Sequence, residues 1–282
     1  MMVLILLPSY VTIGPLNLCS REDNGVEWIL QDFKGWGAPG GTLTQTQKTR
    51  QRGAWSGRSD SKARPTVAVG TCIAPTAALA SDALDRLIDA CSLDESLMMV
   101  VESGRARTCM VRRDGDVLPV PIGSCAFEYS VQFAADDPRK LGAPLTGSTG
   151  LPSSSGGFTV PFTVPFAINS TVVSGQVSLF NPGNETGPIT MRIDGPCVGP
   201  VITHVGSGLQ LIFSASLTLG VGEFLLVDME AHTAMAQGQS SRANWITSRG
   251  WSGLEPGPNT FAFTAASTSA ALLTVTAYSA DQ

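Results

Sequence analysis

The stretch Gly250-Trp251-Ser252-Gly253-Leu254-Glu255-Pro256-Gly257-Pro258-Asn259-Thr260-Phe261-Ala262-Phe263 decides the fold class. A turn rich in Pro and Gly stands between an aromatic residue and an alternating segment, which is how a β-sandwich delivers a late strand. Upstream of it, short apolar or β-branched runs recur at 172–180, 189–193, 201–205, 210–213, 224–228 and 233–236. Residues 260–263 and 272–278 continue the series. About eight strands at such intervals predict a sandwich or jelly roll.

Further upstream, Asp136 to Gly157 interleaves Pro138, Pro144 and Pro152 with Gly and Ser, the composition of a linker. Pro161 and Pro165 then argue for an extended or edge segment over 159–166. The expected organisation is a domain over 1–137, a linker with an extended segment over 138–167, and a second domain over 168–282. In the first domain, Asp23-Asn24-Gly25 turns into a strand from Val26, Gly35 to Gly41 is a glycine-rich loop holding Trp36, and 66–73 is a strand. Pro75 opens the one convincing helix, about 75–91. Leu79, Ala83, Leu84, Leu87, Ile88 and Cys91 form its apolar face, and Asp82, Asp85, Arg86 and Asp89 lie mostly opposite. Strands at 97–101, 109–112, 117–122 and 125–133 complete a mainly β domain with one helix.

Composition agrees. A chain of 282 residues has room for two cores, and 43% hydrophobic against 15% charged residues belongs to a folded protein. Thirty Gly and eighteen Pro imply many turns. A net charge of -5 argues against nucleic acid as the main partner, leaving room only for a local basic patch. Met1 to Leu7 is apolar but too short for a secretory signal or a membrane span, and reads as a strand ending at Pro8. Cysteines at 19, 72, 91, 109, 125 and 197 contain no C-x-x-C pair, so they fit neither zinc nor a compact disulfide framework. They read as reduced core thiols of a protein made in a cytosol, although their even number allows disulfides.

One segment is basic: Lys48, Arg50, Arg52, Arg58, Lys62 and Arg64 against Asp60, in Gly- and Ser-rich surroundings. It is expected to be a long exposed loop or hairpin tip. Two readings stand side by side, a solvated loop and a contact with a subunit or partner, since long loops in compact domains are often functional. Arg50, Arg52, Arg58 and Lys62 are the candidate contacts.

No catalytic constellation stands out in the sequence. His204 and His232 have no nucleophile at a telling spacing, and Asp228 and Glu230 near His232 follow from alternation along a strand whose Leu225, Val227 and Met229 face inward. No glycine-rich phosphate loop opens a helix. The sequons at Asn169 and Asn184 lack an accompanying signal peptide. Trp245 and Trp251 either pack the edge of the sandwich or its turn, or stack on sugars. No catalytic residue, metal site or cofactor is expected.

The series Ser178-Leu179-Phe180-Asn181-Pro182-Gly183-Asn184 and Ile189-Thr190-Met191-Arg192-Ile193-Asp194-Gly195-Pro196 resembles the C-terminal domain of siphophage distal tail proteins. So does Glu255 to Phe263, and so does the acidic strand end and hairpin from Phe224 to Ala236. Asp32-Phe33-Lys34-Gly35-Trp36, Arg52 to Arg58 and the strand–helix order over 66–91 are similar to that family's N-terminal patterns. The resemblance covers most of the chain, most strongly 178–264, and its motifs are turns and strand ends, which mark a lineage and no active site.

The resemblance implies a non-enzymatic virion protein of the tail tip, assembled in the bacterial cytoplasm. Its N-terminal domain, a sandwich or barrel with one helix, would form a homohexameric ring joining the tail tube protein to tip, baseplate or tail-fibre proteins. Tape-measure protein and DNA would pass through the channel. Its galectin-like or carbohydrate-module-like C-terminal sandwich would project outward, holding tip components or, in some members, host glycans. The rival reading is a glycan-binding module using Trp245 or Trp251, and a hydrolase comes last.

Overall fold

The protein is described by a computed structural model over residues 8–155, 171–266 and 270–282. Among these residues it is mainly β with one α-helix, and the chain divides into two compact units, Met1–Gly142 with Gln282, and Ala143–Asp281. The expectations for Met1 to Leu7, Pro161, Pro165 and Asn169 lie outside the described residues.

The first unit opens with β1 (Tyr10–Ile13), β2 (Leu16–Asn17) and β3 (Glu27–Lys34). A hairpin, β4 (Gly41–Gln47) and β5 (Ala54–Ser61), leads into β6 (Arg64–Ile73) and helix α1 (Ala77–Ala90). Strands β7 (Ser96–Glu102), β8 (Arg105–Arg113), β9 (Leu118–Pro121) and β10 (Ala126–Ala135) follow, and β11 (Lys140–Gly150) ends in the second unit. One antiparallel set runs β2-β1-β7-β8 and the other β3-β6-β10-β9, meeting where Phe133 and Ala134 pair with Arg113 and Arg112.

Alternation builds the core of this unit. In β10, Phe127, Tyr129, Val131, Phe133 and Ala135 are buried while the residues between them are more exposed. They join Val11, Ile13, Met98, Val100 and Val111 from the other set, with Trp28 edge-on to Phe127 and Tyr129. Helix α1 is started by Thr76, whose hydroxyl accepts from the Leu79 amide. It buries Ala80, Ala83, Leu87 and Ala90. The predicted apolar face was one position too wide, since Ile88 is exposed.

The linker expected over 138–167 needs correction. Lys140–Gly150 is a strand of eleven residues despite Pro144, and Ser153–Ser155 forms another. Alternation of small residues, with Thr149 buried, supports a ladder where Gly and Ser composition suggested flexibility. The rest of that segment falls outside the described residues.

The second unit carries β12 (Ser153–Ser155), β13 (Thr171–Val173), β14 (Gln176–Asn181), β15 (Ile189–Asp194), β16 (Cys197–Val198), β17 (Val201–His204) and β18 (Gln210–Phe213). It continues with β19 (Thr218–Leu219), β20 (Phe224–Asp228), β21 (Thr233–Ala236), β22 (Ser240–Ser241), β23 (Ile246–Arg249), β24 (Gly257–Thr264) and β25 (Leu272–Asp281). A five-stranded sheet, β14-β24-β17-β18-β23, and the run β25-β15-β20-β21-β22 share one core. Phe261, Phe263, Leu211 and Phe213 come from the first; Met191, Ile193, Leu225, Val227, Leu273 and Val275 from the second. Two antiparallel sheets with apolar faces turned to one core is the sandwich principle. β23 was missed because Ile246-Thr247-Ser248-Arg249 buries no residue fully.

Candidate interaction surfaces

The β4–β5 hairpin is the most exposed ordered feature of the described residues. Every residue of both strands is exposed, including Leu43 and Trp55, the latter at 67%. Six-residue spacing from Gln47 to Ala54 leaves 48–53 as the tip. The tip carries Lys48, Arg50 and Arg52, with the Lys48 ammonium 4.4 Å from the Trp55 ring centroid. Arg58 pairs with Asp60 at 3.0 Å on the surface, and Lys62 is exposed just beyond β5. Thus Arg50, Arg52, Arg58 and Lys62 all belong to one projection, as a hairpin and not as an irregular loop.

A two-stranded hairpin packed on nothing is marginal in water, so its roots matter. Arg64 was grouped with the exposed cations, and here the structure corrects the reading: its side chain is fully buried. Its Nε and Nη2 donate to the Pro138 carbonyl at 2.9 and 2.7 Å, and Nη1 donates to the carbonyls of Gly35 (3.1 Å) and Gly37. Lys140, also buried, donates to the Trp36 carbonyl at 3.0 Å. Both cations lie 5.7 Å from the Trp36 ring centroid. Gly35 has φ +85°, and a Cβ there would run into the Pro65 carbonyl. The chain entering the hairpin is therefore tied by charge-assisted bonds to the chain leaving it. Nothing in the sequence distinguished Arg64 from its neighbours. Its burial follows from inward alternation in β6 with Thr66 and Ala68.

The second unit's motifs resolve into turn locks. Asn259 is buried. Its Oδ1 accepts from the Glu255 amide at 2.9 Å, and its Nδ2 donates to the carbonyls of Glu255 (2.7 Å) and Gly257 (2.9 Å). His204 Nε2 lies 3.2 Å from the same Oδ1, and Nδ1 lies 2.7 Å from the Ser207 hydroxyl. An amide oxygen only accepts, so Nε2 donates there. The ring stacks on Phe261 with centroids 5.0 Å apart. Asn181, buried too, bonds through Nδ2 to the Glu185 and Leu254 carbonyls, both at 2.9 Å, and accepts from the Gly183 amide.

Asp228 accepts from the amides of Glu230 (2.9 Å) and Ala231 (2.8 Å), a turn cap, with Leu225, Val227 and Met229 buried as alternation predicted. His232 stacks on Trp251 with centroids 4.9 Å apart, and Trp251 packs against the core. Trp245 sits in a short 3₁₀ turn and is 38% exposed. Among the described residues, no group of three or more His, Cys, Asp and Glu could hold a metal ion. No helix among them is long and apolar enough to cross a membrane.

All six cysteines are free thiols. Burial pushes Cys91 and Cys109 up to about 12, and Cys72 and Cys197 up to about 11. Glu22 is different. Its partial burial acts to raise the carboxyl, but hydrogen bonds from Arg86, Trp28 and Asn24 outweigh that and hold it below the usual carboxylate range.

No protein-family model matches this chain, and no curated protein matches it either. Solved structures do. The chain is similar to the SPP1 Dit protein, described as a paradigm of the hub adsorption apparatus in phages infecting Gram-positive hosts. Identity is 14% and the TM-score 0.59, covering 88% of this chain and 92% of that one. It is also similar to a chain of the phage P2 baseplate in its activated conformation with Ca, at 10% identity and TM-score 0.50, covering 89% and 90%. The same baseplate with Sr gives the same values. At such identity the likeness is one of fold, and this chain carries the fold of a phage tail-hub protein across both of its units.

Proposed function

We propose that this protein is a structural component of a siphophage tail tip: a distal tail adaptor that self-assembles through its first unit and joins the tail tube to tip or baseplate proteins. The observation that carries the reading is the exposed β4–β5 hairpin, anchored at its root and unsupported along its length, on a fold shared with SPP1 Dit over 88% of the chain. Such a projection acquires a packed face only from another molecule, and one that differs from its acceptor surface builds head-to-tail contacts. A ring closes when that rotation closes, and the family resemblance read in the sequence implies six copies with a channel for tape-measure protein and DNA. The second unit, whose polar side chains are largely committed to its own turns, supplies a rigid platform for further tip components. The reading is non-enzymatic and places the protein in the virion, after assembly in the host cytoplasm. No observation favours glycan stacking, since one face of Trp251 is covered by His232.

Light scattering over a concentration series tests this. A mass of about six chains supports the adaptor ring. A single-chain mass at every concentration, with no binding to tail tube protein, overturns it.

A further inference from the structure

The first unit holds a hollow as well as a projection. Pro15, Leu16, Arg86, Asp89, Ala90 and Ser96 line a concavity of about 400 Å³ where the last turn of α1 meets the β1–β2 turn and the start of β7. Leu16 and Ala90 supply buried apolar walls, and Asp89 stands exposed at the rim. The loop that borders it, from Ala90 to Ser96, adds exposed Leu93 and Asp94. The helix ends here with no basic residue in its last turn; Arg86 on the wall is already paired with Glu22, so the carbonyl end of the helix with Asp89 and Asp94 leaves the rim acidic.

The position of the hollow excludes its own hairpin. Arg86 pairs with Glu22 at 2.8 Å, which puts this part of the helix beside the entry to β3. The hairpin leaves from the other end of the eight-residue strand β3, roughly 23 Å away at the usual strand rise. Projection and hollow therefore stand at opposite ends of one β3–β6 ladder, the arrangement that head-to-tail contacts require.

We propose that the hairpin of one copy docks in this hollow on a second copy, with Trp55 seated between Leu16 and Ala90 and Lys48 facing Asp89. Trp55 offers a rigid apolar body with a cation already stacked upon it, and the hollow offers apolar walls with an acidic rim. Tryptophan is among the residues most enriched at interface hot spots, which cluster in desolvated pockets. The inference rests on the self-assembly reading above and names the two surfaces that meet. It assigns the acceptor to helix α1 and the β1–β2 turn, with Arg50 and Arg52 reaching Asp89 and Asp94.

The test uses two full-length variants, Trp55→Ala and Asp89→Lys, with circular dichroism to confirm folding, since both side chains are exposed. Ser96→Trp, which fills the hollow, is a second acceptor variant. Each variant alone is expected to lose self-association by about 30-fold or more, as hot-spot truncation does. Mixed in equal amounts, Trp55→Ala and Asp89→Lys should form a two-chain species and nothing larger, because one intact projection then meets one intact hollow. Wild-type assembly together with a mixture that stays monomeric, or variants that assemble normally, overturns this docking and leaves the adaptor reading standing. A wild-type protein that never associates overturns both.

Discussion

The hairpin over 41–61 and the turn over 254–264 both deliver the chain into a β-strand, yet the chain treats them in opposite ways. At the turn, one buried amide, Asn259, closes three backbone bonds and a contact with His204, and the strand that follows sinks Phe261 and Phe263 into the core. In the hairpin, the side chains bury nothing, and the deep attachments lie at its root, where Arg64 and Lys140 hold the flanking carbonyls. Satisfied polar groups make a region rigid and self-sufficient, whereas an unburied ladder leaves its packing to a partner. Placing the two in separate units lets one part of the molecule hold its shape while the other makes joints.

Substitutions sharpen that contrast. The largest effect is expected at Phe261, where Phe261→Ala empties a fully buried site and should cost about 3–5 kcal/mol in denaturant unfolding of the second unit. Asn259→Ala leaves the Glu255 amide and two carbonyls without partners and should cost about 2–3 kcal/mol. A cost below about 0.5 kcal/mol would mean that water replaces the lock. Replacing residues 42–60 by a two-residue Asn-Gly turn should change stability by less than about 1 kcal/mol while abolishing assembly. A large loss of stability there would break the contrast, since the hairpin would then support its own unit.

Two smaller effects concern buried thiols of both units and one carboxylate of the first. Thiol titration at pH 8 in the native state should leave Cys72, Cys91, Cys109 and Cys197 unmodified, because burial has pushed them up to between about 11 and about 12. Rapid reaction of all six would show that the core opens. For Glu22 the folded-state value is depressed, so its stabilisation is fully present above the ordinary carboxylate range and is lost as pH falls through the folded value. Glu22→Gln should therefore lower stability at neutral pH by about 1 kcal/mol or less and remove that part of the acid dependence, read from unfolding midpoints between pH 7 and pH 3.

Much of this was legible early because it is periodic. β-branched content marked β6, alternation marked β10, β20 and β24, and the spacing of Ala83, Leu87 and Cys91 marked the helix. These signals are local, arising from which face of an element meets the core. Lys140–Gly150 escaped because small residues carry little hydrophobic contrast, so a strand of Gly, Ser and Thr looks like a linker. Trp251 and His232 lie nineteen positions apart, and no spacing rule announces that their rings stack. The basic segment was found from its charges, but Arg64 could not be separated from Arg58 and Lys62 without knowing which way β6 turns its side chains.

The sequence by itself determined that this is a mainly β chain with one amphipathic helix, buried thiols and a basic projection, because each follows from composition or from a period of two or 3.6 residues. Only the tertiary structure decided that Arg64 is a buried anchor while its basic neighbours stay exposed, that Asn181 and Asn259 are locks, and that a hollow lies across the ladder from the hairpin. Those facts depend on contacts between residues far apart in the chain. Burial and partner geometry, not residue type, then set what a side chain does.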